Sequence, residues 1–163
     1  IAVNVSAQYF SDIEFLPFVL SELARHHLSC SSLHIEITET TLINDITQGK
    51  RTANQLKQNA IPISIDDFGT GFSSMSYLQQ LPLDRLKVDR SFVSDIQPGG
   101  NAFIAETIVT LGNKLGLSTI AEGVEKREQA SYMLKLGCDE AQGYLYAKPM
   151  PYDELVAHLA SKS

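Results

Sequence analysis

Apolar and polar residues alternate with period two in four short stretches of the chain. In Ala2-Val3-Asn4-Val5 the valines oppose Asn4, and in Leu33-His34-Ile35-Glu36-Ile37 the apolar side chains oppose His34 and Glu36. In Ile61-Pro62-Ile63-Ser64-Ile65-Asp66 the isoleucines oppose Ser64 and Asp66; in Leu86-Lys87-Val88-Asp89 the apolar pair opposes Lys87 and Asp89. Successive side chains of a strand point to opposite faces, so each stretch predicts a strand with one apolar and one polar face. Strands are expected over 1–5, 33–37, 61–66 and 85–88, and runs at 118–121 and 140–145 predict two more. Between them the period becomes that of a helix. Phe15, Val19, Leu20, Leu23 and Ala24 recur at helical spacing, as do Ile104, Ile108, Val109, Leu111 and Leu115, and again Met133, Leu134 and Leu136. Gly116 and Gly137 follow two of these patterns where a capping glycine belongs. A short pattern over 75–80 links the third and fourth strands, and 151–160 reads as a closing helix with Pro151 in its first turn.

Strand–helix alternation implies a parallel α/β fold. The pattern yields six strand–helix units in 163 residues. A closed eight-unit barrel typically takes about 250 residues, with about 200 near the low end. The expected architecture is therefore a TIM-type (β/α) barrel, incomplete, with about six of eight units. A doubly wound open sheet fits the same alternation. The loop Gln97-Pro98-Gly99-Gly100-Asn101 is too short for a domain boundary, so residues 1–163 are expected to form part of one domain. Because Ile1–Val5 opens inside a strand pattern, the natural protein is expected to continue upstream.

The formal net charge of −6 excludes a basic footprint for duplex nucleic acid. An acidic protein that handles an anionic substrate needs metal ions or a few placed cations. Cys30 and Cys138 stand far apart, outside any metal-binding spacing, and suggest a reduced, cytoplasmic setting rather than a disulfide framework. No apolar run approaches the roughly 18–20 residues of a transmembrane helix, so no membrane segment is expected in this chain.

The polar faces carry the chemistry. In a barrel the apolar faces meet the outer helices and the polar faces point inward, with Asn4, Glu36, Asp66 and Lys87 late in their strands. Active sites of such barrels are built at the C-terminal rim. Gathering Asn4, Glu36, Asp66, Asp67, Lys87 and Glu122 there gives four carboxylates, one amide and one ammonium. Carboxylates buried together are costly unless a cation neutralises them. Oxygen ligands favour Mg²⁺ or Mn²⁺ over zinc. Adjacent Asp66 and Asp67 can serve two ions, and two ions roughly 3.5–4 Å apart are a recurring device for displacement at phosphorus. Lys87 would orient the attacking water or accept its proton.

Taken singly, each of these residues has an ordinary structural reading. Asp66-Asp67 suits a turn or helix cap, Gly69-Thr70-Gly71 a flexible loop, and Lys87 an exposed face. Glu36 and Glu39 would be solvated or capping, Glu122 and Glu125 would favour a helix N-terminus, and Gln142 would be a satisfied core amide. His26, His27 and His34 carry no metal role. Joint occurrence in chain order, at barrel-rim positions, is what favours a site.

The same residues closely resemble the EAL domain family. Val3-Asn4-Val5-Ser6, Glu36-Ile37-Thr38-Glu39, the loop from Asp66 to Ser74, Leu86-Lys87-Val88-Asp89-Arg90-Ser91-Phe92-Val93, Ala121-Glu122-Gly123-Val124-Glu125 and Gln142–Pro149 each look like a family motif, in order over essentially the whole chain. Phe72 replaces the family's usual tyrosine. The resemblance implies a barrel that uses two divalent cations, Mg²⁺ or Mn²⁺, to cleave cyclic di-GMP to linear pGpG, with Ca²⁺ inhibitory. It implies that Asn4, Glu36 and Asp66 hold the first metal, that Asp66 bridges, and that Asp67 and Glu122 hold the second. Lys87 would position the water, and Glu39 would brace the Asp67–Ser74 loop, which the family couples to metal binding and to a homodimer contact. Glu125, Asp89 and Gln142, with the Gly69-Thr70-Gly71 turn, would line or support the pocket. Further signalling or sensory domains would accompany the domain in its parent. The family's Glu-Ala-Leu glutamate has no counterpart upstream of Asn4, so this chain alone is expected to be inactive. A catalytically inactive cyclic di-GMP receptor is the alternative, and a divalent-metal lyase or isomerase on the same barrel is a third class.

Overall fold

The computed structural model describes residues 1–44, 46–70, 78–97 and 100–161, with the backbone alone at 42–44. Among the described residues, six strands make one parallel sheet: β1 (Ala2–Asn4), β2 (His34–Thr38), β3 (Ile63–Phe68), β4 (Arg85–Val88), β5 (Ser118–Ala121) and β6 (Glu140–Ala141). The helices among the described residues are α1 (Ala7–Phe10), α2 (Phe15–Arg25), α3 (Glu39–Asn44), α4 (Ile46–Gln58), α5 (Arg90–Ser94), α6 (Phe103–Leu115), α7 (Arg127–Lys135) and α8 (Tyr152–Ala160).

Strand order across the sheet equals strand order along the chain. Parallel crossovers are right-handed, so an unbroken order carries every connecting helix to the same side. A doubly wound sheet requires a reversal of strand order, and these six strands have none. The architecture is a (β/α) barrel segment, open between β1 and β6.

The apolar stripes form the outer face. Ile35, Ile37, Ile63, Ile65, Leu86 and Val88 are all buried, under helices that contribute Ala53 and Leu56 from α4 and Ala105, Ile108 and Val109 from α6. Each such aliphatic contributes about 1.5–3 kcal/mol by leaving water. The layers approach closely at Gly112, where a Cβ would lie 2.3 Å from Cγ2 of Thr119 on β5. Two carboxylates secure the opposite, N-terminal end. Asp84 Oδ2 accepts the Ile63 N–H at 3.0 Å, and Asp139 Oδ2 accepts the Thr119 N–H at 2.7 Å. Each stands before one strand and reaches back to the start of its neighbour.

Two expectations need correction. The sixth strand ends at Ala141, because Gly143 turns away with φ +152° and Tyr146 N–H closes onto the Gly143 carbonyl. Helix α4 fills the place that six strand–helix units require between β2 and β3, but its residues show no bulky apolar stripe, since its buried face is made of Gly49, Thr52, Ala53 and Leu56. Pro151 is the N-cap of α8 rather than a residue of its first turn. Of the helical pattern expected over 75–80, residues 75–77 lie outside the described residues.

Candidate metal and active site

Adjacent residues of a regular strand point to opposite faces, so Asp66 and Asp67 would not meet on one. The structure solves this with a bulge. Ile65 pairs with Leu86 and Phe68 with Val88, so three steps on β3 match two on β4. The extra residue is accommodated by Asp67, whose φ is +52°. Aspartate tolerates this left-handed region better than most residues. Phe68 thereby returns to the buried outer face, and both carboxylates remain at the rim. The Asp67 N–H donates to Asp66 Oδ1 at 3.0 Å. Thr70 closes the turn, its Oγ1 donating to the Asp67 carbonyl at 2.8 Å. Gly69 follows at φ +95°, where a Cβ would lie 3.0 Å from Ile108 and 3.1 Å from Phe92. Gly71 lies outside the described residues.

Lys87 is the centre of the cluster. Its side chain is 3% exposed, and its Nζ lies 2.5 Å from Glu122 Oε1, 2.8 Å from Glu36 Oε2 and 3.1 Å from Asp66 Oδ1. Burial opposes its charge, but hydrogen bonds to Glu122, Glu36 and Asp66 outweigh burial and raise its pKa well above the usual lysine range. Burial, opposed by Lys87, raises the pKa of Glu122. Asp67 is also raised, by burial first and then by the charges of Asp66 and Asp89. Burial pushes the Asp89 carboxyl up, yet hydrogen bonds from Ser91, Arg90 and Asp67 bring it below its ordinary value.

The donor set fits divalent cations. Carboxylate oxygens of Asp66, Asp67 and Glu122 lie within 4.8 Å of one another. Asn4 pairs in register with Glu36, and both line a hollow with Asp66 and Asp67. Four carboxylates face one ammonium, so negative charge remains for cations to neutralise.

The remaining residues divide. Gln142 Nε2 donates to Glu122 Oε1 at 2.6 Å, which joins it to the cluster. Asp89 caps α5, accepting the Ser91 N–H at 2.9 Å. Glu125 stands apart from the carboxylate cluster. It pairs with Arg90 at 2.7 Å, and both line a second hollow with Gln142, Gly143 and Tyr144. Arg90 was not singled out from the sequence; its partner is 35 residues away, and no periodicity marks it. Glu39, 5% exposed at the start of α3, has neither carboxylate oxygen hydrogen-bonded among the described residues.

A parallel (β/α) barrel segment with a lysine-centred carboxylate cluster at its C-terminal rim defines the class of fold and site, with oxygen donors that suit divalent cations. A family model described as the EAL domain matches residues 1–149. The bifunctional diguanylate cyclase/cyclic di-GMP phosphodiesterase MucR of Pseudomonas aeruginosa is 42% identical over 161 residues, covering 98% of this chain and 24% of MucR. The solved c-di-GMP complex of the PaMucR phosphodiesterase has a TM-score of 0.90 at 42% identity, over 95% of this chain and 63% of that one. The EAL domain of Mycobacterium smegmatis DcpA has a TM-score of 0.91 at 36% identity, over 98% and 72%. The chain belongs to the EAL domain family. It spans about a quarter of the length of MucR.

No described helix is long and apolar enough to cross a membrane.

Proposed function

We propose that residues 1–163 are the C-terminal two-thirds to three-quarters of a domain that hydrolyses cyclic di-GMP to linear pGpG. The observation that carries this is the convergence of Glu36, Asp66 and Glu122 on one buried ammonium, with Asp67 brought alongside by the bulge. That arrangement suits cleavage of a doubly anionic dinucleotide by an acidic protein, and the likeness to a phosphodiesterase complexed with c-di-GMP supports the substrate.

Asn4, Glu36, Asp66, Asp67 and Glu122 would hold two Mg²⁺ or Mn²⁺ ions, with Asp66 between them. When bound, the cations supply Lewis acidity to the phosphoryl oxygens and activate water. Lys87, whose ammonium form is favoured, orients the water as a hydrogen-bond donor rather than as a base. Gln142 restrains the Glu122 carboxylate. Arg90 and Glu125 border the substrate hollow, Asp89 fixes the start of α5, and the Gly69-Thr70 turn holds Asp67 in place. Glu39 braces the loop beyond Asp67. Ca²⁺ would bind and inhibit, because its longer, looser coordination places the reactants less well. A cytoplasmic homodimer, with further signalling domains in the parent, completes the reading.

Incubating the parent protein with cyclic di-GMP and Mn²⁺ and separating the products tests this. Accumulation of pGpG supports it. Tight binding without turnover converts the reading to a receptor, and neither binding nor turnover overturns it.

A further inference from the structure

Gln129, the third residue of α7, is 4% exposed, yet its amide reaches two separate segments. Its Oε1 accepts the backbone N–H of Glu125 and of Lys126, both at 2.9 Å. Its Nε2 donates to the carbonyl of Val93 at 3.2 Å, 36 residues away on α5. Capping of α7 accounts for the bond from Lys126. It does not account for the bonds to Glu125 and Val93, and a buried amide makes such bonds only where both partners are held in register with it.

The turn between β5 and α7 has separate anchors at its two ends. The Glu122 N–H donates to the Val88 carbonyl at 3.0 Å, and Val124 exchanges backbone bonds with Gln142 and Leu145, both at 3.0 Å. These fix the Glu122 half without help from Gln129. The Glu125 backbone is held by Gln129, and Glu125 in turn holds the Arg90 guanidinium.

We propose that Gln129 is a positioning residue for the substrate hollow: through the Glu125 N–H and the Val93 carbonyl it sets the Arg90–Glu125 pair that borders that hollow. The proposal rests on the cyclic di-GMP reading. It separates binding from chemistry, because the Glu122–Lys87 contact is anchored elsewhere.

The test uses the parent protein with Gln129→Leu, which keeps volume and removes all three bonds, and Gln129→Glu, which keeps the acceptor oxygens. Folded fraction is fixed by thermal melts, and assays are run well below the melting transition. Gln129→Leu should raise KM for cyclic di-GMP about tenfold with kcat within about threefold of wild type. Gln129→Glu keeps the bonds from Glu125 and Lys126 but loses the donor to Val93, so its KM should rise clearly less than that of Gln129→Leu. A purely structural amide would lower Vmax through lost folded protein and leave KM unchanged, which would overturn the proposal, as would an equal KM rise in both variants. If wild type binds cyclic di-GMP in Ca²⁺ but does not turn it over in Mn²⁺, the enzymatic reading fails separately. Calorimetric affinity then decides: tenfold weaker binding by Gln129→Leu supports the positioning role, and unchanged affinity or no wild-type binding overturns it.

Discussion

Replacing Lys87 by methionine keeps most of the side chain's bulk and removes its charge from among Glu36, Asp66 and Glu122. At separations of 2.5, 2.8 and 3.1 Å, each contact contributes about 5–7 kcal/mol of attraction at an effective dielectric constant of about 20. Burial of the ammonium and repulsion among the carboxylates cancel most of this. Deleting one partner of such a buried group costs about 3–5 kcal/mol net, because the other partners are left uncompensated. Lys87→Met should therefore lower the urea-unfolding free energy by that amount in metal-free buffer. The loss should depend on pH. Glu122 and Asp67 already have raised pKa values, and removal of the ammonium raises these two further. A carboxyl whose folded pKa exceeds its unfolded value adds stability at low pH and loses it as pH rises through the folded pKa. The deficit should thus be largest near pH 8 and shrink towards pH 5. Divalent cations should offset it too, so Mn²⁺ should stabilise the variant more than wild type, by about 1.4 kcal/mol for every tenfold gain in affinity. Turnover should still fall by about 10²–10⁴-fold. A deficit equal at pH 5 and pH 8 and unaffected by Mn²⁺ would refute the view that Lys87 is the counter-charge of a metal-binding cluster.

Asp66→Asn should abolish hydrolysis of cyclic di-GMP by the parent protein while the fold survives, as read by product analysis beside a thermal melt; near-normal turnover at limiting metal would remove Asp66 from the site. Glu39→Gln should raise the melting temperature by a few degrees, since it discharges a buried carboxylate with no hydrogen-bond partner among the described residues, and should lower activity if Glu39 braces the neighbouring loop; a lower melting temperature would mean that the charge is compensated. Gly143→Ala should destabilise by about 1–3 kcal/mol, because its Cβ would lie 2.3 Å from both N and O of Val124; wild-type stability in denaturant would show that the turn can shift freely.

The strands were legible wherever alternation was clean. The bounds of β4 and β5 were read from the sequence, and the parity that set Lys87 and Glu36 against their apolar neighbours put them on the inner face. That logic failed at β3, where parity alone sends Asp67 outward. A bulge is a property of the pairing between two strands, and one strand's sequence does not declare it. The helix α4 was illegible for a different reason. Its buried stripe uses Gly49, Thr52 and Ala53, so small and polar residues stand where bulky apolar ones mark the other helices. Glu36, Asp66 and Glu122, placed at the rim from the strand pattern, do converge there on Lys87. Its Arg90–Glu125 partnership depends on contacts between two rim segments and was not found.

The extra residue in β3 has a consequence for the protein's engineering. Glycine at position 67 would relieve the left-handed backbone, a conformation that costs a non-glycine residue about 1–3 kcal/mol, and deletion of one residue there would restore an unbroken ladder to β4. Any screen that rewards folding alone should drift towards both changes, and each takes a carboxylate from the rim. Under the proposed reading, the best residue for the scaffold and the best residue for the chemistry differ at position 67.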